Sequence, residues 1–254
     1  MAYTTRSMSS EPATKFDHIA IGMHRIADAT DVLVGRLGGR PDTGGPGAGF
    51  RWAAWRFEGG GSVEVIEPSG ADGFLHRFLA ARGPGLHHVT FKVASLAEAG
   101  ARAEAQGYRL VGREESDHDW RVAYLHPKEA LGMVVQLGQS AGRYGRRPWE
   151  VPEGPAAPPP AARVLGLRTR ARSADRARLL WERALGGTLA HAREGELVFR
   201  WPGSPMRIVA EIVSDSEERP VAIDLAPGRD PGLSAGPVAP LGAVFRVDTC
   251  TPEL

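Results

Sequence analysis

The chain has 254 residues, 42% of them hydrophobic, which is enough to bury one large core or two modest ones. Its formal net charge of +1, with arginines interleaved among acids in both halves, leaves no footprint for nucleic acid or an anionic membrane. A single cysteine, Cys250, excludes a disulfide framework and a cysteine-rich zinc site, and no segment approaches the roughly 20 apolar residues of a membrane helix, so a soluble, cytoplasmic protein is expected.

Residues 1–15 lack the apolar run of a signal peptide and are expected to be a flexible tail. A strand follows near 16–22, then a helix from about Ile26 to Leu37, where Ile26, Ala29, Val32, Leu33 and Leu37 recur at helical spacing before Gly38 and Gly39. Asp42 to Gly47 has the composition of a loop, with room for a short strand in this glycine-rich region. Phe50 to Phe57 and Ser62 to Glu67 then alternate as strands. The next unit repeats the order: a strand at His87–Val93, a helix from about Leu96 to Gln106, and strands at Tyr108–Val111, Arg121–Leu125 and Gly132–Leu137. Such a repeat is too small to bury its own apolar face, so two units must pack together.

The stretch 141–162, opening on the basic run Arg143 to Arg147 and rich in proline, is expected to be an extended linker or surface arm rather than a groove binder. Beyond it a strand is expected at Val164–Thr169 and a helix from about Asp175 to Leu185. Glu196–Trp201, Arg207–Ile212, Val221–Leu225 and Ala243–Val247 follow as strands. The expected class is therefore α+β: paired βαβββ modules forming a curled mixed sheet over 16–140, and a degenerate copy over 163–254.

Both N-terminal units open on a histidine, His18 and His88. Both close on a strand carrying one polar residue between apolar neighbours, Glu64 in one and Gln136 in the other. Side chains alternate along a strand, so all four can project to one concave surface, where a divalent cation would compensate a buried carboxylate. The third unit laid ungapped on the first puts Gly166 at His18 and Ile212 at Glu64, one place beyond Glu211. Matching the later strands by pattern brings Pro220 near His88 and Arg246 near Gln136. A degenerate, metal-free copy is expected there.

These residues carry a resemblance. Phe16-Asp17-His18-Ile19-Ala20, Val63-Glu64-Val65-Ile66-Glu67-Pro68, Gly85-Leu86-His87-His88-Val89, the Leu125-His126-Pro127-Lys128 run and Gly132 to Leu137 resemble the vicinal oxygen chelate superfamily of glyoxalases, bleomycin resistance proteins and dioxygenases. Within it they are most similar to the methylmalonyl-CoA epimerases. The resemblance implies a sheet curled around one divalent metal ion, with His18, Glu64, His88 and Gln136 as ligands. It also implies a small-molecule substrate whose enolate or related oxyanion is stabilised by a Lewis acid. A metal-dependent isomerase, epimerase or lyase for a small oxygenated acid, ketone or acyl thioester is expected, and a homodimer is compatible with it.

Two departures from that pattern stand out. Gln136 replaces the glutamate usual on the last strand and cannot act as a general base, and Trp52 stands where the other acidic residue is expected. The remaining candidates for proton transfer are Glu64, His87, His118 and Asp119, with His118 lying between Asp117 and Asp119. Trp52, Trp55, Trp120 and Arg121 are candidate substrate-binding residues. The alternatives are a metal-free small-molecule binding or resistance protein and a ring-cleaving extradiol-type dioxygenase. The C-terminal half is also a candidate for a covalently attached substitute for a dimer partner.

Overall fold

A computed structural model describes residues 13–140 and 151–248, and 42% hydrophobic composition here resolves into two sheets sharing one core. Strand β1 (Thr14–Gly22) takes in the last two residues of the expected tail, and Thr14 is already buried. The helical pattern that follows is a 3-10 turn at Ile26–Ala29 and a π-helical turn at Asp31–Arg36 rather than one α-helix. The wider turn lets three consecutive residues, Val32, Leu33 and Val34, bury, and Gly38 ends it at φ 67°. The same device recurs at Leu179–Ala184, closed by Gly186 at φ 68°.

Strands β2 (Arg40–Gly47), β3 (Phe50–Arg56) and β4 (Ser62–Pro68) complete the first unit. The expected loop at Asp42–Gly47 is thus part of a strand. As the sheet edge it needs hydrogen bonds on one side only, which tolerates Pro41 and Pro46. Helix α1 (Phe74–Arg82), not anticipated, leads to β5 (Gly85–Val93), and helix α2 (Leu96–Ala105) is capped by the Ser95 hydroxyl. Strands β6 (Leu110–Glu114), β7 (Trp120–Leu125) and β8 (Val134–Ser140) finish the second unit.

The first sheet runs β2-β3-β4-β1-β5-β8-β7-β6. Parallel pairs β1/β4 and β5/β8 flank the central antiparallel pair β1/β5, where His18 lies opposite Thr90 and Ala20 opposite His88. Histidines of the two repeats therefore sit across a local two-fold relation.

The second sheet contains β9 (Val164–Ala171), β10 (Thr188–Arg193, not anticipated), β11 (Glu196–Arg200), β12 (Arg207–Ile212), β13 (Arg219–Leu225) and β14 (Phe245–Val247). Its order, β10-β11-β12-β9-β13-β14, repeats the first sheet up to β8, and the two register shifts of β1/β5 recur between β9 and β13. Counterparts of α2, β6 and β7 are absent from the described residues.

The two halves share apolar packing. Phe91 approaches the Trp201 ring at 4.7 Å between centroids, Phe16 approaches it at 6.0 Å, and Trp181 lies 6.2 Å from Phe91. The Ser204 hydroxyl donates to the Phe16 carbonyl at 2.7 Å, and Arg102 Nε donates to the Ala184 carbonyl at 2.9 Å. Residues 151–162 carry no regular structure and run along residues 30–38. Val151 is buried there and the Ala162 N–H donates to Leu37 at 2.7 Å. The basic run 143–147, the rest of 141–150, residues 1–12 and Cys250 lie outside the described residues. No helix of the described residues is long and apolar enough to cross a membrane.

Candidate metal centre

Register places the expected ligands together. Glu64 on β4 and His88 on β5 both pair with Ala20 of β1, and His18 stands two residues before Ala20 on the same face. All three side chains are buried, and one ligand atom from each lies within 4.8 Å of the others. Glu64 Oε1 is 3.6 Å from His18 Nε2 and 3.8 Å from His88 Nε2. Donors bound tetrahedrally at about 2.1 Å lie roughly 3.4 Å apart, so the two Glu64 separations are close to the spacing of donors on a divalent ion. His18 Nε2 is moreover a buried ring nitrogen with no hydrogen-bond partner. An orphaned nitrogen aimed at a carboxylate and a second imidazole is a donor set suited to a divalent ion.

Both Nδ1 atoms are engaged on the far side of the rings. His18 Nδ1 is 2.9 Å from Asp17 Oδ2, whose other oxygen is 3.1 Å from Lys92 Nζ, and His88 Nδ1 is 2.9 Å from His87 Nδ1. Charge divides the pair. Burial opposes a charged His18, but Glu64 and Asp17 outweigh it and push the imidazole up to about 9. Burial and the neighbouring His87 and His18 hold His88 well below its ordinary value, and burial alone takes His87 down to about 4. Burial also opposes ionisation of Asp17, yet hydrogen bonds and charge from His18 and Lys92 bring it below the usual carboxylate range.

Gln136 lies one register pair away, opposite Thr90 on the same face. Its Oε1 accepts from the Thr90 hydroxyl at 2.6 Å, and its Nε2 donates to the Tyr124 hydroxyl at 3.2 Å. The amide oxygen keeps a second lone pair, so Gln136 remains compatible with a neutral fourth ligand.

Around this centre the concave face has two contrasting ends. At one, α1 brings Phe74 and Phe78 against the His87 ring, 5.5 and 4.8 Å between centroids, beside Phe50 and Trp52. At the other, Lys92 Nζ stands 5.9 Å over the Trp120 ring. Gly138 makes that possible, because a Cβ there would overlap the Trp120 ring.

Three expected site residues fall elsewhere. Trp55 is fully buried in the main core, since it is three residues from Trp52 and faces the opposite side of β3. Arg121 likewise alternates away from Trp120 and Tyr124, on the side of core residues Ala123 and Leu125. His118 is exposed in the loop before β7 and is not part of the triad. Asp17, Thr90, Tyr124 and Phe78 reach the site without having been singled out. The first and third stand beside motif residues, but only register reveals their direction.

In the second sheet the registers of the four ligand positions correspond to Gly166, Val209, Ala222 and Arg246. Glu64 is thus matched by Val209 rather than Ile212, and His88 by Ala222 rather than Pro220, because loop lengths differ between the repeats. The face they share is filled by Arg168, 1% exposed, whose Nε and Nη2 donate to Asp224 at 3.1 and 2.9 Å and whose Nη1 donates to Glu196 at 2.6 Å. Glu211 is 3.6 Å from Arg168 and also pairs with Arg170 and Arg246.

Comparison with known proteins is consistent with this geometry. Residues 17–124 match the family model described as Glyoxalase/Bleomycin resistance protein/Dioxygenase superfamily. An uncharacterized Bacillus subtilis protein, YqjC, is 33% identical over 82 residues, 32% of this chain and 59% of that protein. The ethylmalonyl-CoA/methylmalonyl-CoA epimerase of Cereibacter sphaeroides is 32% identical over 82 residues, 30% of this chain and 60% of that protein. The chain thus spans about three fifths of the length of both relatives. A mutant 4-hydroxymandelate synthase from Streptomyces coelicolor matches 86% of this chain and 72% of its own at 11% identity and a TM-score of 0.59, a likeness of fold.

Proposed function

We propose, for a chain whose residues 17–124 belong to the glyoxalase/bleomycin resistance/dioxygenase superfamily, that it is a metal-dependent enzyme of small-molecule chemistry. His18, Glu64 and His88 would hold one divalent ion, with Gln136 as a neutral fourth ligand. The reaction is an isomerisation, epimerisation or elimination of a small oxygenated acid, ketone or acyl thioester by way of an enolate. The observation that carries this reading is the buried His18 Nε2 with no hydrogen-bond partner, facing Glu64 at 3.6 Å and within the same cluster as His88.

When bound, a divalent ion there supplies the Lewis acidity that makes a carbon acid ionisable near neutral pH. The chain itself supplies the rest. Phe50, Phe74 and Phe78 offer aromatic rings at one end, and Trp120 offers one at the other. His87, held neutral by burial and 2.9 Å from His88 Nδ1, has its ring nitrogen engaged by a ligand histidine, so it supports that ligand rather than accepting a substrate proton. Metal analysis and reconstitution test the reading. Near-stoichiometric metal in the parent, lost in His18→Ala/His88→Ala, is expected; trace metal with no uptake on reconstitution refutes it.

A second reading rests on the composition of the triad. Two histidines and one carboxylate are the ligand set of non-haem iron oxygenases, so ring-cleaving dioxygenase chemistry is the alternative. Oxygen uptake by the Fe²⁺-loaded protein with catechols separates the two, since the enolate chemistry consumes none.

A further inference from the structure

Asp17 and His87 are equivalent residues of the two repeats, each immediately before a triad histidine. In a regular strand each would point away from its neighbour, toward the helical side. Neither does, because the β1/β5 ladder carries two register shifts. One, between Phe16 and His18, leaves Asp17 unpaired, and the other, between Leu86 and His88, leaves His87 unpaired. An extra residue in a bulge re-aims its side chain. Both therefore swing to the concave side, and each reaches Nδ1 of the following histidine at 2.9 Å.

We infer, on the basis of the metal site proposed above, that Asp17 and His87 are paired positioning residues whose bulges fix the ring orientation and tautomer of the two imidazole ligands. An ionised Asp17 can only accept, so the one hydrogen that a neutral His18 keeps lies on Nδ1, which leaves the Nε2 lone pair for a metal ion on the side of Glu64. Between His87 and His88 one Nδ1 must donate and the other accept. With His88 as the donor its Nε2 is the free ligand atom, 3.8 Å from Glu64.

The two are unequal supports. Asp17 brings a full negative charge and is itself anchored by Lys92 at 3.1 Å, which makes His18 the stronger donor. His87 brings only a ring, fixed edge-on to Phe78 with centroids 4.8 Å apart. The aromatic wall around the substrate space thereby also sets the angle of a metal ligand.

The test is a Co²⁺ titration of the full chain, read by calorimetry and by the visible ligand-field bands, with urea unfolding of the metal-free protein as the control for folding. Asp17→Ala should weaken Co²⁺ binding by about 10- to 100-fold and shift the bands, the usual cost of losing the outer partner of a histidine ligand. His87→Phe fills the same aromatic slot without a hydrogen-bonding nitrogen and should lose less. Asp17→Asn and His87→Gln keep an acceptor and should fall between their harsher counterparts and the parent, which a general loss of structure would not produce. If Asp17→Ala and His87→Phe bind within about threefold of the parent with unchanged bands, the positioning role is wrong although the metal site stands. If either harsher variant does not fold, the ranking of Asp17→Asn and His87→Gln against the parent decides the matter alone. A parent that binds no Co²⁺ overturns both proposals.

Discussion

Arg168→Met should be among the most damaging single changes outside the triad. The guanidinium holds Asp224, which has no solvent exposure, through two hydrogen bonds, and it also meets Glu196 and Asp248. Removing one partner of a buried pair costs about 3–5 kcal/mol, because the remaining charge is left in a poorly solvating interior. Burial already pushes Asp224 up to about 6 against the pull of Arg168. Without that pull the carboxyl takes up a proton near neutral pH, which holds the loss to roughly 3 kcal/mol, the lower end of that range. Against a typical domain stability of about 5–15 kcal/mol this remains a large fraction. Urea unfolding at pH 7, followed by tryptophan fluorescence, measures it. The double variant Arg168→Met/Asp224→Leu removes the stranded charge and should recover to within about 1 kcal/mol of the parent, a coupling of roughly 2 kcal/mol or more. A single-variant loss below about 1 kcal/mol, or a double variant less stable than the single, would refute the argument.

The metal-free protein should be most stable near pH 6.5. His87 is depressed to about 4 in the folded state, so its contribution is complete above the unfolded value of 6.5 and is lost as pH falls toward 4; His18 is raised to about 9, so its contribution is complete below 6.5 and is lost as pH rises toward 9. The alkaline arm amounts to about 3 kcal/mol; on the acid side His88, also held well below its ordinary value, adds to the loss while Asp224, raised to about 6, offsets part of it, and urea midpoints from pH 4 to 9 that fall steadily in one direction would contradict the signs. Trp181→Ala should cost about 3–5 kcal/mol by opening a cavity between the two halves, measurable as a lowered Tm. Truncation after Ser140 uncovers the sides of Phe16 and Phe91 that meet Trp201, and the fragment is expected to self-associate on gel filtration; a stable monomer would show that the halves are energetically independent. Glu64→Ala should abolish Co²⁺ binding at micromolar protein while leaving the fold intact by circular dichroism, and retention of tight binding would exclude Glu64 as a ligand.

The triad was legible in the sequence because its signal is a repeat. His18 and His88 recur 70 residues apart, and Glu64 sits polar among valines, so alternation alone brings them to one face. The same rule misleads at Asp17 and His87, because a bulge inverts direction locally and nothing in the composition of Phe16 to Ile19 marks one. Trp55 and Arg121 are different, since strict alternation from Trp52 and Trp120 already places them on the core side. Helix α1 was illegible for want of length: Phe74, Leu75, Phe78 and Leu79 repeat at i, i+4, but only nine residues separate Gly73 from Gly83. Strand β2 was disguised by Pro41, Gly44, Gly45, Pro46 and Gly47, residues that an interior strand rejects and an edge accepts.

Gly166 occupies the register position of His18 in the second sheet at φ 143°, and a Cβ there would overlap the backbone oxygen of Arg207. No side chain fits that point without moving a neighbouring strand. Placing a histidine there would therefore require a backbone change first, and Val209, Ala222 and Arg246 would also have to change to match the first sheet. No single substitution thus gives the second sheet the donor set of the first, and at this point of the register its backbone packs directly against β12 where the first sheet presents an imidazole.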